Sequence, residues 1–254
     1  MAIYSKPAWA LMKEMALELA GKPGEIFTKQ RAINWFALKY PKIKTGTVTA
    51  HLIRLSTNAQ TRTHYNAKPG QDDVFYQLDG SHFRLYDPIH DPVPIYTEKG
   101  GFERPQEFYA EEASEDEFPA SSGSDQFAYE SDLRNYLAKN LYLIEPGLRM
   151  YEEEGITGIE FPVGGRFIDI LAVDSVGGLV VIELKVSRGY DRVVGQILRY
   201  MSWIGKNQAD ADQRVRGFIV AREITEDLML ACSLVPSITL VEYQLSLSLN
   251  KVRN

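Results

Sequence analysis

The sequence predicts an α/β domain preceded by a smaller α+β domain, and three observations carry that expectation. Charge is divided unevenly along the 254 residues. Residues 1–71 hold eleven Lys/Arg and three Asp/Glu (+8), residues 72–129 three and fourteen (−11), and residues 130–254 fourteen and seventeen (−3), for a net −6. Residues 100–126, GGFERPQEFYAEEASEDEFPASSGSDQ, join an acidic cluster to a Ser/Gly/Pro stretch. Such a composition buries too little apolar surface to offset the entropy of ordering it. Behind it, helical and strand patterns alternate, the order of an α/β sheet. The expected division is a domain over 1–99, an acidic flexible linker over 100–126 and a second domain over 127–254.

Composition excludes several classes. With 44% apolar and 24% charged residues, the chain has the make-up of an average globular protein. No apolar run reaches the roughly 18 residues that span a bilayer, so no membrane partner is expected. Lys13, Glu14 and Glu18 interrupt the stretch where an export signal needs an apolar run. The single cysteine, Cys232, leaves neither a disulfide framework nor a Cys-rich zinc site. A reducing, cytoplasmic setting fits.

In the first domain, Trp9, Met12, Met15, Ala16 and Leu19 recur at helical spacing until Gly21 and Gly24. Ile33, Phe36, Ala37 and Tyr40 mark a second helix, from about Thr28 to Pro41. Val48, His51, Leu52 and Leu55 mark a third, which Thr45 or Thr47 would cap. DVFYQLDGSHFRLYD then reads as two strands turning at Asp79-Gly80. Three helices and a hairpin in this order describe a small winged helix-turn-helix, whose third helix enters the major groove. Thr45, Thr47, Thr49 and Arg54 would face DNA, with Lys42 and Lys44 beside them. Arg62, Lys68 and Arg84 would contact phosphates around the wing, and the +8 balance suits a polyanion. The histidines at 51, 64, 82 and 90 have no metal-binding spacing, and His51 falls on the apolar stripe of the third helix.

In the second domain a helix is expected over about 129–141. Strands follow in GIEFPV, RFIDILAVD and LVVIELKVS, the last two joined by a turn at Gly177-Gly178. A helix over 192–204, a strand in VRGFIVA, a helix over 225–234 and a strand in SITLVEYQ complete it. Two of these strands carry charge where a buried strand is normally apolar. Asp169 lies between Ile168 and Ile170, and Glu183 and Lys185 interrupt LVVIELKV. Residues two apart share a strand face, so Glu183 and Lys185 point the same way, and the adjoining strand can bring Asp169 beside them. Buried unpaired charge is costly, so such a cluster neutralises itself or binds an ion. Two carboxylates and a lysine make a hard-oxygen site suited to Mg²⁺ or Mn²⁺.

Asp169, thirteen intervening residues and then Glu183-Leu184-Lys185 fit the PD-(D/E)xK nuclease signature. Around it stand YESDLRNYLAKNL with Glu130, EPGLRMY, GRFIDILAVD, VVIELKVSRG and GQILRYMSWI. In this order they resemble the nuclease domain of the NucS/EndoMS endonucleases, from about residue 127 to 244. The resemblance implies a restriction-endonuclease-like mixed sheet flanked by helices. It implies that Asp169 and Glu183 ligate a divalent metal together with the main-chain carbonyl of Leu184. Lys185 would orient or activate the attacking water and offset phosphate charge. Glu130 and Gln196 would complete the site, and Tyr200, one helical turn after Gln196, joins them. Arg188 and Arg199 are added as phosphate contacts.

The resemblance does not extend to the first domain, where NucS-type enzymes carry a different, β-rich domain for DNA binding and dimerisation. The expected function is therefore Mg²⁺- or Mn²⁺-dependent endonucleolytic hydrolysis of DNA, directed by the winged helix, in restriction, defence or repair. Cutting both strands needs two active sites, hence a homodimer. The rival reading is a non-catalytic DNA-binding regulator whose nuclease-like half dimerises or binds an effector. The intact Asp169, Glu183 and Lys185 argue against it.

Overall fold

The computed structural model describes residues 3–22, 24–96, 123–185 and 191–245, with the backbone alone at 123–129 and 191. In the first half of the chain the elements are α1 (Ala8–Leu19), β1 (Ile26–Thr28), α2 (Lys29–Lys39), α3 (Thr45–Arg54), β2 (Phe75–Gln77) and β3 (His82–Leu85). Then come α4 (Gly123–Lys139), β4 (Arg149–Met150), β5 (Glu152–Glu153), β6 (Ile156–Thr157), β7 (Ile159–Val163), β8 (Arg166–Val173) and β9 (Leu179–Lys185). The chain closes with α5 (Asp191–Asn207), β10 (Val215–Ala221), α6 (Glu226–Cys232) and β11 (Ile238–Glu242). They pack as two units, residues 1–124 with 151–167, and residues 125–150 with 168–254. Segment 151–167 thus follows the expected boundary at 127 in sequence yet packs in the first unit. Most of the expected linker lies outside the described residues, while its last four, 123–126, already belong to α4.

The first unit is a small α+β domain. α1 buries Leu11, Met12, Met15 and Ala16 along one stripe. Beyond its end, a Cβ on Gly21 would lie 2.6 Å from the Leu17 carbonyl oxygen, so only glycine fits there. α2 starts where expected, the Thr28 hydroxyl accepting from the Arg31 N–H at 3.2 Å. α3 has no side-chain cap: Lys44 occupies that position, and Thr45 and Thr47 are already helical. β1 escapes the sequence reading because three residues are too few to show alternation. It pairs antiparallel with β3, giving the order β1-β3-β2. Asp79 fixes the hairpin turn by accepting from the Ser81 N–H at 2.7 Å and the His82 N–H at 2.9 Å. Phe27 packs on Phe75 and Phe83, and with Phe36, Leu52 and Leu55 these rings form the core. Burying each such side chain contributes about 1.5–3 kcal/mol.

Segment 151–167 opens with the β5–β6 hairpin, whose turn residues Glu154 (φ 52°) and Gly155 (φ 82°) are both left-handed. That is the mirror-image turn whose twist matches the flanking strands. A glutamate where asparagine or aspartate is usual conceals the turn in the sequence.

The second unit is built on a mixed sheet with strand order β11-β10-β9-β8-β4. β9, β10 and β11 run parallel, and β8 and β4 continue the sheet antiparallel. The β8–β9 turn is held by Asp174, which accepts from the Gly178 N–H at 2.7 Å and the Val176 N–H at 3.1 Å. α5 packs closely on β10, because a Cβ at Gly217 would come within 2.7 Å of Ile197 Cδ1. This packing brings one face of α5 over the strands that carry the charges.

Candidate active site

β8 and β9 pair with Ile170 opposite Ile182. Asp169 immediately precedes the first and Glu183 follows the second, so the two acids flank the same cross-strand pair. The Leu184 N–H donates to Asp169 Oδ2 at 2.8 Å, which ties the Asp169 carboxylate to β9.

Glu183 is only 2% exposed. Its Oε1 accepts from Lys185 Nζ at 3.1 Å and from Gln196 Nε2 at 2.5 Å. Gln196 Nε2 also donates to the Tyr200 hydroxyl at 3.1 Å, one turn further along α5. Glu183 Oε2 is buried and has no hydrogen-bond partner among the described residues. One carboxylate oxygen is thus held by two donors and the other by none.

The electrostatics follow from this crowding. Burial pushes the Glu183 carboxyl well above its ordinary range, and the neighbouring Asp169 charge adds to the effect, while Lys185 partly reverses it. Burial also works against the Lys185 ammonium, but Glu183, then Asp169 and Glu130, outweigh it and raise that lysine above its usual value. Glu130, half-buried on α4, therefore shares the field of the same cluster. The structure joins Lys185, Gln196 and Tyr200 to Glu183 by hydrogen bonds, with Asp169 and Glu130 acting on the same carboxyl through their charge.

Sequence reasoning missed Arg134. It is buried on α4 with Nη1 3.8 Å from Asp169 Oδ1. Its place four residues after Glu130, on the same helix face, was the available signal. Among the described residues no three His, Cys, Asp or Glu side chains gather as a metal cage. Asp169 and Glu183 are the side chains that could hold a hard cation, which commonly takes main-chain oxygens and water as well.

The candidate DNA contacts divide differently. Arg188 lies outside the described residues, and Arg199 is exposed on α5. Lys42 is exposed and Lys44 half-buried at the start of α3. Thr47, Arg54 and Arg62 are buried in this structure rather than facing solvent as the sequence suggests. Thr47 donates to the Glu153 carboxylate. Arg54 pairs with Asp72 at 3.0 Å, and Arg62, fully buried, pairs with Asp73 at 2.9 Å. Arg84 is held by Asp91 and covers the Tyr76 ring, its guanidinium carbon 4.5 Å from the centroid. The acids at 72, 73 and 91 claim these cations because ion pairing is the least costly way to bury them. His51, whose place on the apolar stripe suits either a core or a base-edge residue, is wholly buried.

Comparison with known proteins also divides the chain in two, with segment 151–167 inside the C-terminal match rather than the N-terminal one. Residues 129–234 match the family model described as the Endonuclease NucS C-terminal domain, and residues 7–85 match a domain of unknown function, DUF7669. The chain is 30% identical over 98 residues to Endonuclease NucS of Pyrococcus abyssi, covering 38% of this chain and 35% of that protein. Endonuclease NucS of Pyrococcus furiosus is 31% identical over 98 residues, covering 38% and 33%. The match therefore spans about a third of the length of these curated relatives. Among solved structures, a repair endonuclease from Pyrococcus abyssi aligns with TM-score 0.38 and 23% identity over 52% of this chain and 50% of that one. An EndoMS-dsDNA2 complex aligns with TM-score 0.34 and 27% identity over 51% and 49%. A NucS-type domain thus occupies the C-terminal half of the chain. No helix among the described residues is long and apolar enough to cross a membrane.

Proposed function

We propose that this protein is a DNA endonuclease that hydrolyses phosphodiester bonds with a divalent metal, Mg²⁺ or Mn²⁺, in repair or defence. Its N-terminal, winged helix-like domain would direct the cut, and two copies acting as a homodimer would cut both strands. The observation that carries the reading is Glu183: a buried carboxylate with one oxygen fixed by Lys185 and Gln196 and the other without a partner among the described residues, beside Asp169. An orphaned buried carboxylate oxygen is costly for a structural residue and is what a metal ligand requires. The naming of the curated relatives as endonucleases supports the same chemistry.

Asp169, Glu183 and the Leu184 carbonyl would hold the metal. When bound, it would polarise the scissile phosphate and acidify a water. The remaining work falls to the protein. Gln196, braced by its contact with the Tyr200 hydroxyl, sets the rotation of the Glu183 carboxylate. The Leu184 N–H does the same for Asp169. Lys185, which Glu183, Asp169 and Glu130 draw toward its cationic form, would orient or activate the attacking water and offset charge developing on the phosphate. Arg199, exposed on α5 three residues after Gln196, would meet the DNA backbone. Incubating the purified chain with plasmid, single-stranded and branched DNA tests the reading. Cleavage should need Mg²⁺ or Mn²⁺ and stop in EDTA. Cleavage that survives EDTA, or none on any substrate, would reject it.

A further inference from the structure

α3 carries the residues whose sequence marks them for reading DNA, yet nine of its ten residues, Gly46 to Arg54, are buried. β6 and β7, within segment 151–167 of the same unit, pack on it. Thr47 donates to the Glu153 carboxylate. Arg54 Nη1 donates to the carbonyls of Glu154 at 3.4 Å and Gly155 at 3.2 Å. The fit at Gly155 is close: a Cβ there would lie 2.4 Å from Arg54 Nη1. The Glu154 carboxylate accepts the N–H groups of Ile3 at 3.1 Å and Ala8 at 3.3 Å. Further along, the Tyr65 hydroxyl donates to the Glu160 carbonyl at 3.2 Å. Glu154 and Glu160 both hold left-handed backbones, φ 52° and 47°, which non-glycine residues keep only where surrounding contacts enforce them.

We infer that segment 151–167 is a built-in occupant of the α3 face, and that unit 1 can read DNA through α3 only when this segment lifts away. The inference rests on the winged-helix reading of unit 1. A hydroxyl and a guanidinium on a recognition helix are the donors that engage phosphates and base edges. Here the Thr47 hydroxyl and Nη1 of Arg54 are spent on oxygens of the segment, while Nε and Nη2 of Arg54 are held by Asp72. Segment and DNA therefore compete for the same atoms, and the affinity for DNA is reduced by the fraction of chains in which the segment is docked.

The test uses the full chain carrying Asp169→Ala, without metal, so that binding to a duplex oligonucleotide is read free of cleavage. Glu154→Gly removes the carboxylate while keeping the left-handed turn. Glu152→Ala, at an exposed neighbour, makes the same change of charge outside these contacts. Glu154→Gly should bind duplex about tenfold tighter or more, and Glu152→Ala less than about twofold tighter. In the parent chain, amide exchange in 151–167 should rise when duplex is added. Equal shifts in the two variants would reduce the effect to bulk charge and overturn the inference, as would unchanged exchange under bound duplex. The exchange measurement decides the matter even if Glu154→Gly folds poorly. No duplex binding by any variant at low salt would overturn the inference together with the winged-helix reading, leaving the nuclease reading to its own test.

Discussion

Gln196 Nε2 lies 2.5 Å from Glu183 Oε1, and this contact determines which oxygen of Glu183 remains for other chemistry. Lys185 converges on the same oxygen from the strand side. A carboxylate gripped at one oxygen by two elements cannot rotate freely. Its other oxygen is thereby held in a fixed direction, the preorganisation a ligand site needs.

Gln196→Leu should therefore slow cleavage by about 10–100-fold, with a raised metal requirement, since such orienting contacts typically carry that cost. Tyr200→Phe, which removes only the brace behind Gln196, should cost less than about tenfold. Single-turnover rates across a metal titration check both. An unchanged rate in Gln196→Leu would remove it from the site.

Lys185→Ala should separate turnover from metal affinity. The ammonium stabilises developing charge without ligating, so turnover should fall by about 10²-fold or more. Mn²⁺ binding followed by calorimetry should stay close to that of the parent. Weak metal binding with normal turnover would contradict the role.

In unit 1, Arg62 is a stability residue. Fully buried, it donates to the Arg54 carbonyl at 3.2 Å, the Asp72 carbonyl at 3.3 Å and Asp73. Arg62→Ala should lower unfolding free energy by about 3–5 kcal/mol, because it leaves a cavity and takes the counter-ion from Asp73, which keeps the Gly70 N–H and the Tyr96 hydroxyl. Lys42→Ala, at an exposed site, should stay within about 0.5 kcal/mol and weaken duplex binding instead. Denaturant unfolding of both variants distinguishes the two roles.

His51 makes the fold acid-sensitive. Burial first, and then the Arg54 cation, lower it from the usual 6.5 to about 3, and neither ring nitrogen has a hydrogen-bond partner among the described residues. The folded chain keeps the ring neutral, while the unfolded chain takes up a proton as pH falls below 6.5. Stability is therefore lost from about pH 6.5 downward until the folded ring itself titrates, an effect of about 2 kcal/mol at pH 5. His51→Leu should abolish that part of the pH dependence in urea unfolding at pH 7 and 5. Parallel losses in parent and variant would refute it.

The second unit was largely legible because its signals are strong. Asp169, Glu183 and Lys185 are charges in apolar strands, and burial makes such charges costly unless they act together. Gln196 and Tyr200 became legible through the resemblance, and their one-turn spacing on α5 explains why they meet. The first unit was legible in its helices and hairpin but not in its exposure. Nothing local to TGTVTAHLIR reveals that Glu153 to Glu160, a hundred residues later, would cover it, because tertiary packing decides which face of an amphipathic helix meets solvent. Arg54 and Arg62 read as surface cations for the same reason. Their partners Asp72 and Asp73 were visible only as part of an acidic run.

The most direct test of the account is the Mg²⁺-dependent cleavage rate of supercoiled plasmid by the parent chain beside Asp169→Ala and Glu183→Ala, with folding checked by circular dichroism. Each substitution removes one of the two carboxylates proposed to hold the metal. The predicted result is cleavage by the parent alone, with both variants folded and at least about 10³-fold slower, a loss of about 4 kcal/mol in transition-state stabilisation. Cleavage at the parental rate by both folded variants would contradict it.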